Sequence, residues 1–254
     1  MSATLSFARY GQGIGDAAAV LRNNAAAAGL DAPVPTCPGW SVLDLVVHQG
    51  VVHRWAAATL TGSPGFDGPA AEREGRTTGD VLDWLDEGMV ELLNVLATAP
   101  ADLDVPFFLA DAPEARLGWA RRQCHETTMH AIDAMAARLG RPAHPDELWF
   151  SADFAADGVD ELLLGFVPRP KTRLRWTHPA SVAVRCAEPA RSWTIGVGPD
   201  AAPTVGEGGP VELTLTGSAR GLYLALWNRG GDVEVSGEAA LWATYRELMR
   251  VVWH

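Results

Sequence analysis

The chain has 254 residues, of which 48% are hydrophobic and 20% charged, with ten Trp and a formal net charge of −11. That length allows one large or two smaller globular domains with an aromatic-rich core. The acidic balance argues against an extended nucleic-acid footprint or attachment to an anionic membrane. The longest apolar runs are far short of a bilayer span, and the N-terminus lacks the apolar stretch of a secretory leader, so a cytoplasmic protein is expected. Cys37, Cys124 and Cys186 are odd in number and form no CxxC pair. They read as free thiols in a reducing compartment rather than as a disulfide framework.

In chain order, Phe7, Tyr10, Ile14, Ala17, Ala18, Leu21 and Ala25 recur at helical spacing, predicting a helix over 6–28 stopped by Gly29. Three prolines and a glycine between Asp31 and Trp40 forbid regular structure. Ser41 is a good N-cap, with Asp44 three residues on, for a second helix to about Leu60. Thr61 to Gly75 reads as a loop. A third helix, capped by Thr77 or Thr78, runs from Asp80 to about Ala97, with Val81, Leu82, Leu85, Met89, Leu92, Leu93 and Leu96 as its buried face. Residues 101–114 look irregular. The fourth helix spans Ala115 to Leu139, with Gly140 and Pro142 as its stop. A shorter helix covers about Asp146–Leu164.

After Pro168 and Pro170 the texture changes to β-branched or alternating segments at 172–178, 181–186, 192–197 and 211–216, with turns at Glu188-Pro189 and 207–210. A short helix at 218–227, a strand at 232–236 and a closing helix from Glu238 to about Val251 follow. The expected architecture is therefore a two-domain one. An up-down four-helix bundle occupies residues 1–167, and a small α+β domain occupies 168–254.

Chemistry concentrates in the fourth helix, from Arg121 to Asp133. Glu126 and His130 are four apart, so they share one helix face at about 40° and roughly 6 Å, close enough to bind one divalent metal ion. The same pair also serves as an ordinary helical polar contact. His125 and His130 are five apart and diverge by about 140°, which rules out the two-histidine zincin arrangement on one helix. His125 is left with a surface or hydrogen-bonding role. A third ligand must come from elsewhere. On the second helix His48 and His53 diverge by the same angle, and His48 projects from the stripe of Leu45, Val52 and Trp55. His48 is the better candidate ligand, the alternative being a hydrogen-bonded core histidine. Surface ion pairing is expected for at least one of Arg121 and Arg122, and bundle packing for Trp40 and Trp55. Arg229 is a candidate partner for a substrate carboxylate, or otherwise an exposed turn charge. Gly11, Gly13 and Gly15 lack the preceding strand and spacing of a dinucleotide loop.

Cys37-Pro38-Gly39-Trp40-Ser41, followed by Asp44-Leu45-Val46-Val47-His48, resembles the opening signature of the mycothiol-dependent maleylpyruvate isomerase family, within the DinB-like metal-binding bundles. Arg121-Arg122, His125-Glu126, His130 and Asp133-Ala134 are similar to its second signature. Leu224 to Arg229, Val233 to Gly237 and Ala239 to Leu241 resemble its small C-terminal domain, with Asn228 standing where a glycine is commoner. The resemblance implies a Zn2+ site of His48, Glu126 and His130, with a fourth position for water or thiol sulfur. It implies mycothiol as cosubstrate, activated as a metal-bound thiolate. The partners would be a small electrophile or an unsaturated acid, in S-transfer or cis–trans isomerisation. The ligand types also accept Ni2+, Fe2+ or Mn2+. A non-catalytic metal-binding or ligand-sensing bundle, and a metal-assisted hydrolase, are the alternative readings.

Overall fold

The computed structural model describes residues 5–63, 65–109, 114–206 and 210–249. The chain divides into two compact units, a helical one ending at Ala143 and an α+β one beginning at His144.

The helical unit contains α1 (Phe7–Ala28), α2 (Val42–Leu60), α3 (Gly68–Thr77), α4 (Val81–Thr98) and α5 (Ala115–Leu139). The four long helices form a ring in which α1 lies along α5 and α4, and α2 lies along α4 and α5. Each starts where local chemistry allows. Ser6 accepts from Arg9 N at the head of α1. Ser41 and Asp44 form a reciprocal capping box at the head of α2. Asp80, rather than either predicted threonine, caps α4 by accepting from Leu82 N and Asp83 N. One carboxylate oxygen, Oδ1, satisfies two of the orphan amides at once. Gly140, at φ 67°, takes the left-handed position that ends α5.

Helix α3 lies where a loop was expected. Asp67 caps it and Pro69 sits in its first turn, so the Gly/Pro composition that suggested a loop instead starts a helix. The inward face of α4 also differs. Trp84 is buried at 3% exposure, while Leu82, Met89 and Leu93 are half-exposed. The indole fits because its neighbours are glycines: a Cβ on Gly50 would stand 2.1 Å from the Trp84 ring, and one on Gly75 2.8 Å. Arg54 covers the ring at 3.8 Å and donates to Trp84 O at 2.8 Å.

In the α+β unit, His144 caps a short 3-10 turn at Pro145–Glu147, and Ser151 caps α6 (Ala152–Asp160). The chain continues as a π-helical turn over Glu161–Phe166, closed by Val167 N on Leu162 O. The single helix expected over 146–164 is thus split, because Ser151 restarts it. The five strands are β1 (Ala180–Cys186), β2 (Arg191–Val197), β3 (Thr204–Val205), β4 (Val211–Gly217) and β5 (Glu234–Gly237), in the order β3-β2-β1-β4-β5. Only the β1–β4 pair is parallel. Central β1 is buried almost throughout, which explains its continuous Ser-Val-Ala-Val run. Helices α7 (Ala219–Leu226) and α8 (Ala239–Leu248) complete the unit.

The strand expected at 172–178 is absent among the described residues. Thr172 N and Oγ1 turn back onto Arg169 O and Phe166 O, and Arg175 Nη1 donates to Thr172 O and Leu174 O, so the backbone carbonyls are spent locally. Asn228 adopts φ 60°, a left-handed conformation that asparagine tolerates better than most side chains. That accounts for its standing where glycine is commoner. The predicted domain division at 167/168 differs from the compact units because α6 packs on α7. Most of the 207–210 turn and the end of the closing helix at 251 lie outside the described residues. The three cysteines are free thiols, Cys124 and Cys186 buried and Cys37 half-buried. Among the described residues no helix is long and apolar enough to cross a membrane.

Candidate metal centre

Every residue of α5 from Gly118 to Ala136 is buried. That run includes Arg121, Arg122, Gln123, His125, Glu126, Thr127, Thr128, His130 and Asp133. So many polar groups out of water demand partners, and the partners define the site.

Glu126 and His130 face one side of α5, and α2 brings His48 to them. His130 Nε2 lies 3.3 Å, and His48 Nε2 3.6 Å, from the same oxygen, Glu126 Oε1. All three donor atoms lie within 4.8 Å of one another. A tetrahedral ion with bonds of about 2.0–2.1 Å separates its ligands by about 3.3–3.5 Å. The two separations to Glu126 Oε1 are therefore close to those of a metal half-cage. Glu126 Oε1 accepts no well-formed hydrogen bond, although it is buried. A cation between the two imidazoles would satisfy that oxygen, so the donor set fits the group it is read to hold.

The other carboxylate oxygen is occupied. Arg122, 2% exposed, donates from Nη2 to Glu126 Oε2 at 2.9 Å, one helical turn away. Asp133, fully buried, accepts from His130 Nδ1 at 3.0 Å, from Thr36 Oγ1 at 2.6 Å and from Cys37 Sγ at 3.3 Å. Bonding at Nδ1 turns Nε2 of His130 towards Glu126, the usual arrangement of carboxylate, histidine and metal. Trp40 walls the site, its ring 5.0 Å from that of His48 and stacked 6.1 Å from that of His130.

The charges follow from these contacts. Burial alone would raise Glu126, but His130, His48 and Arg122 outweigh it and hold the carboxyl well below its ordinary value. Burial would likewise lower His130, yet Asp133 and Glu126 raise it to about 9. His48, with burial dominant, lies below the ordinary histidine value. A metal must displace the His130 proton, so its apparent affinity should rise roughly tenfold per pH unit between about pH 7 and 9. The metal-free protein should show the opposite trend. A raised histidine stabilises the fold fully below its unfolded value of 6.5, and that contribution is lost as pH rises through about 9. Chelator competition and thermal melts of metal-free protein across this range check both. A pH-independent affinity would contradict the assignment of His130.

Several expectations change. Arg121 and Arg122 are both buried, at 6% and 2% exposure, so neither is a surface ion pair. Arg122-x-x-x-Glu126 carried the readable signal, an i,i+4 pair one turn before the ligand. Asp133, which had no assigned role, stands three residues after His130, again on the same face. Trp40 lines the site instead of only packing the bundle, whereas Trp55 packs on Trp119 at 5.0 Å. His125 is fully buried against Tyr10 and not at the surface. His53 points away, as its angle from His48 required. Its Nε2 meets Thr127 Oγ1 at 2.9 Å, and burial lowers it to about 3. Arg229 belongs to the α+β unit, half-buried after α7, with Nη1 donating to Trp227 O at 2.9 Å.

Two histidines and a glutamate converge from facing helices of a four-helix bundle, an arrangement that could hold a metal ion. Residues 12–135 match the family model described as the mycothiol maleylpyruvate isomerase N-terminal domain, and residues 153–244 match the family's C-terminal domain. The chain belongs to the mycothiol-dependent maleylpyruvate isomerase family, a family of enzymes. Among solved structures it is similar to the crystal structure of the mycothiol-dependent maleylpyruvate isomerase and to that of a histidine-to-alanine mutant. In each case identity is 14% and the TM-score 0.61, over 92% of this chain and 95% of that chain. At that identity the likeness concerns the fold. No curated protein sequence matches.

Proposed function

We propose that the protein is an enzyme that holds one divalent metal ion, zinc by ligand type, through His48, Glu126 and His130. It uses mycothiol or a similar low-molecular-weight thiol to isomerise an unsaturated acid. The observation that carries this reading is the convergence of His48 Nε2 and His130 Nε2 on one buried oxygen of Glu126 at 3.6 and 3.3 Å. Family membership supports the thiol and the reaction class.

A divalent ion held there would supply Lewis acidity, which favours the deprotonated form of a thiol beside it. The chain's own residues set the conditions. Three protein ligands leave room for a fourth, the mark of a catalytic rather than a structural site. Arg122 holds Glu126 Oε2 and so leaves Oε1 for the ion. Arg122 and Asp133 cancel formally, so an ion with Glu126 gives a site of about +1, which one anionic sulfur neutralises. Trp40 and the burial of the ligands reduce water access, which strengthens that attraction. The sulfur adds to the activated double bond, the carbon–carbon bond rotates as a single bond, and the same sulfur leaves. Thiol is regenerated, and no other reactant is consumed. S-transfer is the variant in which the sulfur stays on an electrophile. Arg229 is proposed to meet a substrate carboxylate through its two-pronged guanidinium. A reducing cytoplasm is the compartment this reading requires.

The test incubates zinc-loaded protein with mycothiol and a panel of unsaturated acids and alkylating electrophiles, read by mass-resolved chromatography. An isomer formed without net loss of thiol is the expected result. A stable thiol adduct instead makes the protein a transferase. Product formed without thiol favours metal-assisted hydrolysis. No product while zinc stays bound overturns the enzyme reading in favour of a binding bundle.

A further inference from the structure

The polar groups around Asp133 do more than fill space. Thr36 and Cys37 lie in the loop between α1 and α2, 97 and 96 positions before Asp133. The loop is stiff. Three prolines restrict it, and Pro33 bridges to Ser41. Val34 N donates to Trp40 O, Cys37 N to Val34 O and Trp40 N to Cys37 O. Ser41, at the end of the loop, caps the helix that carries His48. One short segment therefore touches both histidines' supports: His48 through the start of α2, and His130 through Asp133.

We infer that Asp133 is a positioning residue for His130, and that the Thr36 hydroxyl sets the plane of that carboxylate from the loop. This rests on the metal-site reading above. Asp133 Oδ2 accepts from His130 Nδ1 at 3.0 Å, so Nε2, facing Glu126, is the nitrogen that presents a lone pair once its proton is displaced. Cys37 Sγ also donates to Oδ2, at 3.3 Å, and an anchor on the other oxygen fixes the rotation of the carboxylate plane. Thr36 Oγ1 supplies the anchor at 2.6 Å, a short charge-assisted bond. Asparagine at 133 would be ambiguous. With its amide nitrogen towards His130, it would demand the opposite tautomer and turn an N–H towards the metal position.

The experiment uses the full chain with cobalt(II), whose visible absorption reports ligand arrangement, and chelator competition for affinity. Asp133→Asn should bind cobalt about 10–100-fold more weakly. Thr36→Val should lose about fivefold, the scale of one hydrogen bond, and shift the absorption bands. Thr36→Ser, which keeps the hydroxyl, should restore both to within about twofold. The double variant Asp133→Asn/Thr36→Val should be no weaker than Asp133→Asn alone, since the threonine acts through the carboxylate. Parent-like binding and bands in Thr36→Val, or losses that multiply in the double variant, would overturn the inference. If Asp133→Asn does not fold, the threonine pair alone decides it. His48→Ala serves as the control: undiminished cobalt binding there would sink the metal site itself instead.

Discussion

Replacing His48 or His130 with alanine is expected to leave a folded bundle that binds a divalent ion more than about a hundredfold more weakly, beyond the range seen for outer-shell residues. Each change removes one of the three proposed protein donors and leaves a carboxylate with a single imidazole, an i,i+4 pair on α5 in His48→Ala and a pair between α5 and α2 in His130→Ala, rather than a half-cage. The folds of the two variants should survive. The buried face of α2 includes Leu45, Val46, Val52 and Ala56, which both variants keep. In the metal-free state His130 is the more costly to lose, because it neutralises both Glu126 and Asp133 at 3.3 and 3.0 Å. His130→Ala should therefore melt lower than His48→Ala when both are stripped of metal. Metal analysis of dialysed protein, about one ion per chain in the parent and none in the variants, is the measurement. Full retention in both variants would end the assignment.

The second large effect concerns Arg122. Its side chain is 3% exposed, and the Glu126 side chain it meets at 2.9 Å is 8% exposed. Removing one partner of a buried pair strands the other charge and costs about 3–5 kcal/mol. Arg122→Met should thus destabilise the metal-free protein by about 3 kcal/mol, the lower end, because His130 still faces Glu126. Bound metal should recover part of the loss by supplying a cation to the same carboxylate. The sign with pH follows from the depressed Glu126. Its stabilisation is present above its ordinary value of 4.5 and lost as pH falls through its folded value. The gap between parent and variant should therefore close in acid and be widest near neutral pH. Chemical denaturation at several pH values, with and without metal, measures it. An equal gap at pH 3 and pH 7 would mean that Arg122 acts by packing alone.

Local patterns carried much of the architecture. The Ser41/Asp44 box, Gly140 and the spacing of Ala115–Leu139 placed α2 and α5 almost to the residue, because capping and helical periodicity involve only neighbours in the chain. The misreadings have different causes. Helix α3 was hidden because Gly and Pro near Asp67 signal a loop as readily as a helix start. Trp84 was missed because its burial depends on Gly50 and Gly75 in other helices. The segment 172–178 alternates like a strand, but nothing in that pattern shows that Thr172 turns back onto Arg169 and Phe166 or that Arg175 takes the carbonyls of Thr172 and Leu174.

For the site, the sequence by itself determined that Glu126 and His130 share a face, and that His125 and His53 cannot share their neighbours' faces. Those statements need only the angle per residue of a helix. The same angle made His48 rather than His53 the candidate third ligand, and the family resemblance strengthened it. Only the tertiary structure decided how α2 and α5 are turned about their axes, and hence that His48 Nε2 reaches the same oxygen as His130. It also decided that Arg122 and Asp133, which sequence could place on the site's face, point inward with their charges committed to Glu126 and His130. Helix rotation is set by the summed packing of many side chains, a long-range property. For that reason a pair four residues apart can be read from the chain and a third donor named as a candidate, while the meeting of all three, and the groups that orient the pair, cannot.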